Sequence, residues 1–387
     1  MNRSLLTEEF ATTAAGSDGI TVVTSFNHPQ RGVVRCPAAP LLAAWLVRRG
    51  ARVVLAALEP DAVTRPSGPP RRTGGVLVGS SYRDLDGRVV GLAAAAAADQ
   101  DVSLVRLAVD TWSQVIRTRR VLVPLAPRAC AAGAPVPRPQ RGAAAGSPPV
   151  AAAGTGCRAA VAAWESVRAG RGRGDTVLLV GAGAGAGTGT DEPWAGGPSG
   201  PLLRVPTVEQ ARRLEVADPA RLSYAIRPCS VIEDVTEVLH VLRARFPLIR
   251  GPHPDQWCYA ASRARAAVRL AAAASDLVLL LGGEGGGGGG GGAGADDRCD
   301  HDLPAAQRVL APVGLGDLDP KELGAAATVA VIDRLEGAVR GVGCPALGVT
   351  DLIEVLSGLG PLSVVHYRVQ ADVSTNIYEN VPAAVTR

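Results

Sequence analysis

Lysine and aromatic residues are nearly absent from this chain of 387 residues. Lys321 is the only lysine, and phenylalanine, tyrosine and tryptophan together make up 3% of the residues. The basic residues are almost all arginines, which are scattered along the chain and leave a net charge of only +4. With few rings on which bases could stack and no basic cluster, the sequence argues against nucleic acid as a partner.

Long hydrophobic runs are also missing. The longest runs, such as residues 92–98 and 277–281, fall well short of the roughly 20 residues that a membrane-spanning helix needs. Residues 1–17 include Glu8 and Glu9 and lack the basic, apolar and small-residue regions of a secretory signal. The sequence therefore predicts a cytoplasmic protein without a membrane partner.

Apolar, β-branched runs alternate with helical patterns along the first part of the chain. This alternation predicts a mostly parallel sheet covered by helices. The predicted strands are 20–25, 52–58, 75–79 and 121–126, and the predicted helices are 38–49 and 104–120.

The second half of the chain continues the same pattern. Thr207 with Gln210, and Ser230 with Glu233, have the spacing of capping boxes that begin helices. The fold class is therefore α/β, built from repeated αβ units. The predicted helices are 157–169, 257–274 and 350–358, and the predicted strands are 175–180, 276–281, 327–332 and 362–369.

Two glycine-rich segments invite a nucleotide-binding interpretation. Gly181, Gly183 and Ala186 follow a predicted strand with the spacing of a dinucleotide fingerprint, but no helical pattern follows to hold a pyrophosphate. The run Gly285–Gly292 lacks the Gly-Lys-Ser/Thr ending that grips phosphate and magnesium. Both segments are better explained as loops.

Seven cysteines in a chain predicted to be cytosolic favour metal-binding or core thiols over disulfides. Cys130 follows a predicted strand, whereas Cys157 and Cys258 begin predicted helices, whose N-termini stabilise thiolates. Three such cysteines from three αβ units could ligate three irons of a cubane and leave the fourth iron open. Cys36, in Arg-Cys-Pro, is predicted to be a core or turn cysteine.

Longer stretches of the chain resemble 4-hydroxy-3-methylbut-2-enyl diphosphate reductase, the last enzyme of the methylerythritol phosphate route to isoprenoids. The resemblance covers residues 157–369 and the short stretch around Cys130. It is carried by the text Val-Ala-Asp-Pro-Ala-Arg-Leu-Ser-Tyr at 216–224, Val-Leu-His-Val-Leu-Arg-Ala-Arg-Phe-Pro at 238–247, Arg-Gly-Pro-His-Pro-Asp at 250–255, Cys-Tyr-Ala at 258–260 and Gly-Leu-Gly-Pro-Leu-Ser-Val at 358–364.

This resemblance implies a pseudo-threefold core of three αβ domains around a [4Fe–4S] cluster. The family's three cluster cysteines match Cys130, Cys157 and Cys258. In the family, the open iron binds the substrate hydroxyl, two electrons arrive and water leaves, so a ferredoxin- or flavodoxin-type electron donor is the implied partner. Residues 1–120 are predicted to form an additional N-terminal α/β extension of unknown role.

The positions that grip the diphosphate in the family differ in this chain. The family's Gly-His pair is Gly181-Ala182 here, and its Thr-Thr pair is Pro228-Cys229. Its Ser-Ser-Asn-Ser stretch falls in the glycine run after Glu284, and its Thr-Ala-Gly-Ala-Ser segment is Ile332–Glu336. Residues 131–156 are too few for the elements that the family has between its first two cysteines.

Two main hypotheses follow. The first is a divergent iron–sulfur oxidoreductase that keeps a cluster and acts on a changed substrate. The second is a pseudoenzyme that is a structural or regulatory protein partner of another enzyme, and orthodox reductase activity comes third. The predicted division is an N-terminal extension at 1–120, a truncated first-cysteine segment at 121–156, the reductase-like part at 157–370 and a tail at 371–387.

Overall fold

The fold is known from a computed structural model of the chain. It describes residues 5–15, 19–64, 74–124, 158–182, 201–281, 308–310, 314–333 and 348–367. Within these residues the strands form a seven-stranded, a five-stranded and a three-stranded sheet, with helices packed on them. The predicted α/β class is confirmed.

The N-terminal sheet has seven strands in the order β4-β2-β3-β7-β6-β1-β5. Helices α1 (Ala39–Val47) and α2 (Asp99–Ser113) pack on it. The strands are β1 (Leu6–Thr12), β2 (Ile20–His28), β3 (Gly32–Arg35), β4 (Val53–Ala57), β5 (Val63–Thr64), β6 (Gly75–Arg83) and β7 (Val89–Ala96).

Most neighbours in this sheet run antiparallel, so the predicted mostly parallel sheet is wrong for this region. The main reason is the hairpin of β6 and β7, whose turn places Gly87 at a φ of 77°. The alanine-rich run at 92–98 falls mainly in β7, in which every residue is buried. A short run of buried residues has no periodicity that separates strand from helix, and so this strand was missed.

The second sheet has five parallel strands in the order β13-β12-β14-β8-β15. Strand β8 lies between two strands from near the C-terminal end, with Val121 opposite Val329 on one side and Val364 on the other. Helices α7 (Pro320–Ala325) and α8 (Val349–Ser357) precede two of the strands. The strands are β8 (Arg119–Pro124), β12 (Leu277–Leu281), β13 (Val309–Leu310), β14 (Thr328–Asp333) and β15 (Leu362–Tyr367).

One hydrophobic core joins the seven-stranded and five-stranded sheets. It includes Phe26 of β2, Trp112 of α2, Leu279 of β12 and Leu352 of α8, all nearly inaccessible to solvent. These two sheets therefore share buried apolar area. The predicted boundary at residue 120 stays a prediction, and it falls within β8.

Arg119, at the start of β8, is buried at the edge of this core. Its guanidinium donates to the backbone oxygens of Val115 (2.5 Å), Leu359 (2.8 Å) and Leu323 (3.0 Å). Burial, with a further contribution from Arg117, lowers the pKa of Arg119 to about 10, which still leaves it charged at neutral pH. The arginine thus ties the segment after α2 to α7 and to the residues that follow α8.

The third sheet is parallel and has the order β10-β9-β11. Helix α3 (Arg158–Gly172) covers one face, and α4 (Val208–Arg213) and α5 (Ile232–Arg245) belong to the core on the other. We call this sheet with these three helices the three-stranded unit. Its strands are β9 (Thr176–Val180), β10 (Leu202–Val205) and β11 (Leu222–Ile226).

The two predicted capping boxes have different outcomes. The Thr207 hydroxyl accepts from the Gln210 N–H (3.3 Å) at the start of α4, so this cap is confirmed. The box at Ser230 is wrong, because α5 begins after Val231 and the Ile232 N–H donates to Ser262 Oγ (2.8 Å). A partner from a distant helix replaces the local cap there.

Helix α6 (Ala260–Ala273) connects the two parallel sheets. Near its beginning Ser262 bonds to α5 of the three-stranded unit, and near its end Ala271 and Ala272 pack against the five-stranded sheet. The residues directly before α6 are therefore held at the junction of the three-stranded and five-stranded sheets. In the described part of the chain, no helix has the length and apolar character needed to cross a membrane.

Candidate functional site

The carboxyl ends of β9 and β11 meet at one edge of the three-stranded unit. The Arg227 N–H donates to the Val180 oxygen (2.8 Å), and the Arg227 guanidinium donates to the Ala182 oxygen (3.0 Å). Open parallel sheets bind ligands at this edge. Here the edge presents one half-buried cation, Arg227, and the small residues Gly181 and Ala182.

Gly181 allows the backbone after β9 to lie close to Ser230 and helix α5. Its φ is 101°, and a Cβ at this position would overlap Ser230 Oγ and crowd Val235 of α5. The first glycine of the apparent dinucleotide fingerprint therefore has a packing role. Gly183 and Ala186 lie outside the described residues.

A small cleft lies at this edge of the sheet. Ala159 and Ala162 of α3 line one side, and Arg227 and Pro228 after β11 line another. Its cavity volume is about 10 Å³, roughly the space that one water molecule needs and far below that of typical small-molecule sites. The segment before α6 completes the lining with Pro252, Gln256, Trp257 and Cys258.

Cys258 borders the cleft and is half-buried. It directly follows Trp257, which is 8% exposed and donates from Nε1 to the Pro252 oxygen (3.2 Å). On its other side the Tyr259 hydroxyl donates to the Pro254 oxygen (3.2 Å). Bonds on both sides therefore fix Cys258, two residues before α6 begins.

The two other predicted cluster ligands, Cys130 and Cys157, lie outside the described residues. Cys157 directly precedes α3, whose first two turns carry the cleft-lining Ala159 and Ala162. Cys130 comes six residues after the end of β8. Among the described residues, no three histidine, cysteine or acidic side chains form a group that could hold a metal ion. The predicted ligand set stays a prediction.

Two further cysteines are described. Cys36 is 2% exposed in the large core, and burial raises the pKa of its thiol to about 12, so its predicted core position is confirmed. Cys229 has a φ of 58° and is the one non-glycine residue with positive φ in the described ranges. It directly follows the cleft-lining Pro228.

Several residues that shape the site were missed from the sequence. Asp175, at 2% exposure, pairs with Arg173 (3.0 Å) and Arg250 (3.4 Å). A lone aspartate at a strand start gives little signal of burial, because its second partner, Arg250, lies 75 residues away in the sequence. The Gly251-Pro252 pair was the available signal for a tight approach of the backbone.

The sequence comparisons find relatives over part of the chain. A 75-residue stretch is 40% identical to the 4-hydroxy-3-methylbut-2-enyl diphosphate reductase of Roseobacter denitrificans, covering 19% of this chain and 24% of that protein. The same reductase of Klebsiella pneumoniae is also 40% identical over 75 residues, with the same two shares. That of Gluconobacter oxydans is 33% identical over 75 residues, or 22% of its length. No protein-family model matches the chain.

The chain thus spans about a quarter of the length of the curated relatives it matches. The predicted resemblance to the reductase family is confirmed, and the chain is a relative of these enzymes within that stretch. The solved reductase from Plasmodium falciparum aligns with a TM-score of 0.37 and 15% identity, over 57% of this chain and 63% of that one. A second solved reductase aligns with a TM-score of 0.32 and 16% identity, over 53% and 66%.

Proposed function

We propose that this protein is a divergent relative of 4-hydroxy-3-methylbut-2-enyl diphosphate reductase that holds a [4Fe–4S] cluster through Cys130, Cys157 and Cys258. One observation carries the proposal. Cys258 borders a cleft whose opposite wall is the beginning of α3, the helix that directly follows Cys157. The helix that follows one predicted ligand in the sequence thus lines the same cleft as Cys258.

The surroundings of Cys258 suit a thiolate ligand. Cys157 and Cys258 both come just before helices of 15 and 14 residues, whose N-terminal dipoles favour negative charge. Cys258 is half-buried, and Trp257 and the alanines of α3 line the same cleft. When bound, a cluster would supply electron transfer and a Lewis-acidic iron.

The substrate is proposed to differ from that of the reductases. Gly181, Ala182 and Pro228 offer no side-chain hydrogen-bond donor at the matched positions, and Arg227 is the cation that lines the cleft. Each charge-assisted hydrogen bond lost costs about 1.5–3 kcal/mol of binding free energy. A diphosphate would therefore be held weakly at these positions, and an oxidoreductase here would act on a smaller or less charged substrate.

Metal content tests the cluster. The chain purified without oxygen is expected to contain about four irons and matching sulfide, with visible thiolate-to-iron absorbance. Cys258→Ala should reduce the iron to background. Cys229→Gly is the matched control and should keep the iron, because Cys229 is not a predicted ligand and glycine tolerates its positive φ. Iron-free wild-type protein would refute the proposal.

Turnover tests the changed substrate. With dithionite and a viologen mediator, the iron-loaded protein on its own is expected not to convert 4-hydroxy-3-methylbut-2-enyl diphosphate to five-carbon diphosphate products at a useful rate. Turnover equal to that of an intact reductase would restore the orthodox activity. The same proposal includes a ferredoxin- or flavodoxin-type protein as the electron donor and a cytoplasmic location.

The small volume of the cleft favours one alternative, a pseudoenzyme that is a structural or regulatory partner of another enzyme. Metal content separates the two. Iron-free protein that is folded and stable supports the pseudoenzyme, whereas a stoichiometric cluster supports the oxidoreductase.

A further inference from the structure

The chain just before Cys258 is attached to β11 through its backbone. The Arg250 N–H donates to the Leu222 oxygen (3.2 Å), and the Arg250 oxygen accepts from the Tyr224 N–H (2.7 Å). This pair of bonds forms a one-residue parallel bridge between Arg250 and Ser223. The loop that carries Cys258 therefore starts from a fixed point on the sheet.

A buried carboxylate holds the Arg250 side chain at the same point. Asp175 is 2% exposed, and its Oδ1 accepts from Arg250 Nη2 (3.4 Å) while its Oδ2 accepts from Arg173 Nε (3.1 Å). Arg173 precedes β9, far along the chain from Cys258. The two arginines share one partner, but only Arg250 belongs to the cysteine loop.

Gly251 lies close against the side chain of Tyr224. A Cβ at this position would overlap the ring of Tyr224. That ring is buried, and its hydroxyl accepts from Arg243 Nη2 (3.1 Å) on α5, so the ring is held in place. Any side chain at 251 would thus displace the backbone of the loop from β11.

Hydrogen bonds within the rest of the loop connect Gly251 to Cys258. Trp257 donates from Nε1 to the Pro252 oxygen and from its backbone N–H to the Pro254 oxygen (3.0 Å). A 3₁₀ turn at Pro254–Gln256 shortens the path from Pro252 to Trp257. Because the loop is bonded to itself, a shift at Gly251 moves Cys258 as well.

We propose that Arg250 and Gly251 are positioning residues that set where the Cys258 thiol lies in the cleft. The importance of that position for a cluster rests on the proposed function. The position itself is a property of the chain and is measurable without iron.

The rate of alkylation of Cys258 by iodoacetamide in the folded, full-length, iron-free protein measures this position. After trypsin digestion, Cys258 is the one cysteine of its peptide, which ends at Arg263. Two matched pairs of variants separate position from general stability. Arg250→Gln is compared with Arg173→Gln, since both remove a partner of Asp175. Gly251→Ala is compared with Gly172→Ala, which has no atom within 4 Å of the new Cβ.

We expect Gly251→Ala to raise the alkylation rate of Cys258 about tenfold, equivalent to a local opening free energy lower by about 1.4 kcal/mol. Arg250→Gln should raise it by a smaller factor, and both control variants should alkylate at the wild-type rate. Cys229 reports on loosening of the whole three-stranded unit and should keep its rate, as should the buried Cys36. Adding Tyr224→Leu to Gly251→Ala makes room for the Cβ and should return Cys258 towards the wild-type rate.

Equal rates for Arg250→Gln and Arg173→Gln, or a parallel rise at Cys229, would overturn the proposal. If Gly251→Ala does not fold, the arginine pair decides alone, because both arginine side chains are about half exposed and their loss leaves the core intact. Iron content is measured separately. A wild-type chain without iron refutes the cluster, whereas the alkylation rates still decide the positioning.

Discussion

The large core and the three-stranded unit are built in different ways. The large core joins two sheets through apolar side chains, among them Phe26, Leu46 and Trp112, and the buried Arg119 beside it bonds to backbone oxygens. The three-stranded unit has two smaller cores, one on each face of its sheet. Both regions contain glycines at which a side chain would overlap a neighbour: Gly91 and Gly358 around the large core, and Gly170, Gly181 and Gly251 in or beside the three-stranded unit. Gly251 directly precedes Pro252, which lines the cleft.

The two regions therefore differ in what a substitution is expected to change: the free energy of unfolding around the large core, and the positions of the site residues in the three-stranded unit. In the large core, side-chain volume and buried polar groups determine the free energy of unfolding. In the three-stranded unit, close approaches at Gly181 and Gly251 determine where Arg227 and Cys258 lie. Substitutions in the first region should act on folding, and those at Gly181 and Gly251 should act on the site as well as on local stability.

The largest effect is expected at Arg119. Arg119→Met keeps the length of the side chain but leaves the oxygens of Val115, Leu323 and Leu359 without their buried donor. The free energy of unfolding should fall by about 3–5 kcal/mol. Urea unfolding followed by tryptophan fluorescence measures this, because Trp45 and Trp112 lie in the large core.

Arg120→Met is the matched control for this prediction. Arg120 is the next residue of β8 and is exposed. The free energy of unfolding of the Arg120→Met variant should therefore stay within about 0.5 kcal/mol of the wild type. Equal losses in the two variants would contradict the role of Arg119. Amide exchange adds a second measurement: if protection in β9 falls as much as protection in β7, the two regions unfold as one.

Much of the fold was predictable because its signals are local. The strands at 20–28, 176–180 and 277–281 are apolar runs bounded by polar or glycine residues, and Thr207 caps its own helix. The antiparallel pairing of the first sheet was not predictable in this way. It depends on the β6–β7 hairpin and on β1, and the residues of β7 were too uniform to show a period.

The candidate site was predictable to a smaller extent. Cys258 was found from its place before a helix and from the family resemblance, and the structure places it at the cleft. The contacts that hold it were not found. Asp175 lies 75 residues from Arg250, and Ser262 lies 30 residues from Ile232, and such pairs leave no pattern in a single sequence.

A medium effect is expected at Gly181. Gly181→Ala would place a side chain at a φ of 101° and overlap Ser230 Oγ, which should lower the free energy of unfolding by about 2 kcal/mol. Gly87→Ala is the control, since its φ is 77° and no atom lies within 4 Å of the new Cβ. It should cost about 1 kcal/mol of strain alone. Amide exchange should show the loss for Gly181→Ala in β9 and β11, and a loss spread equally over β7 would contradict the division into two regions.

The smallest effect concerns pH and lies in the N-terminal sheet. The hydrogen bonds from Arg106 hold the pKa of Glu9 below its ordinary value of 4.5, through contacts of 2.6 Å and 2.9 Å that join β1 to α2. Because the folded pKa is lowered, the pair stabilises the fold above pH 4.5, and this contribution is lost as the pH falls through the folded pKa. Both side chains are about half exposed, so solvent screening limits the contribution to about 0.5 kcal/mol. Glu9→Gln should therefore unfold slightly more easily than the wild type at pH 7, and the difference should shrink as the pH is lowered below 4.5, in urea titrations over this range. A difference between the two proteins that does not shrink as the pH falls would show that Glu9 acts through packing and not through its charge.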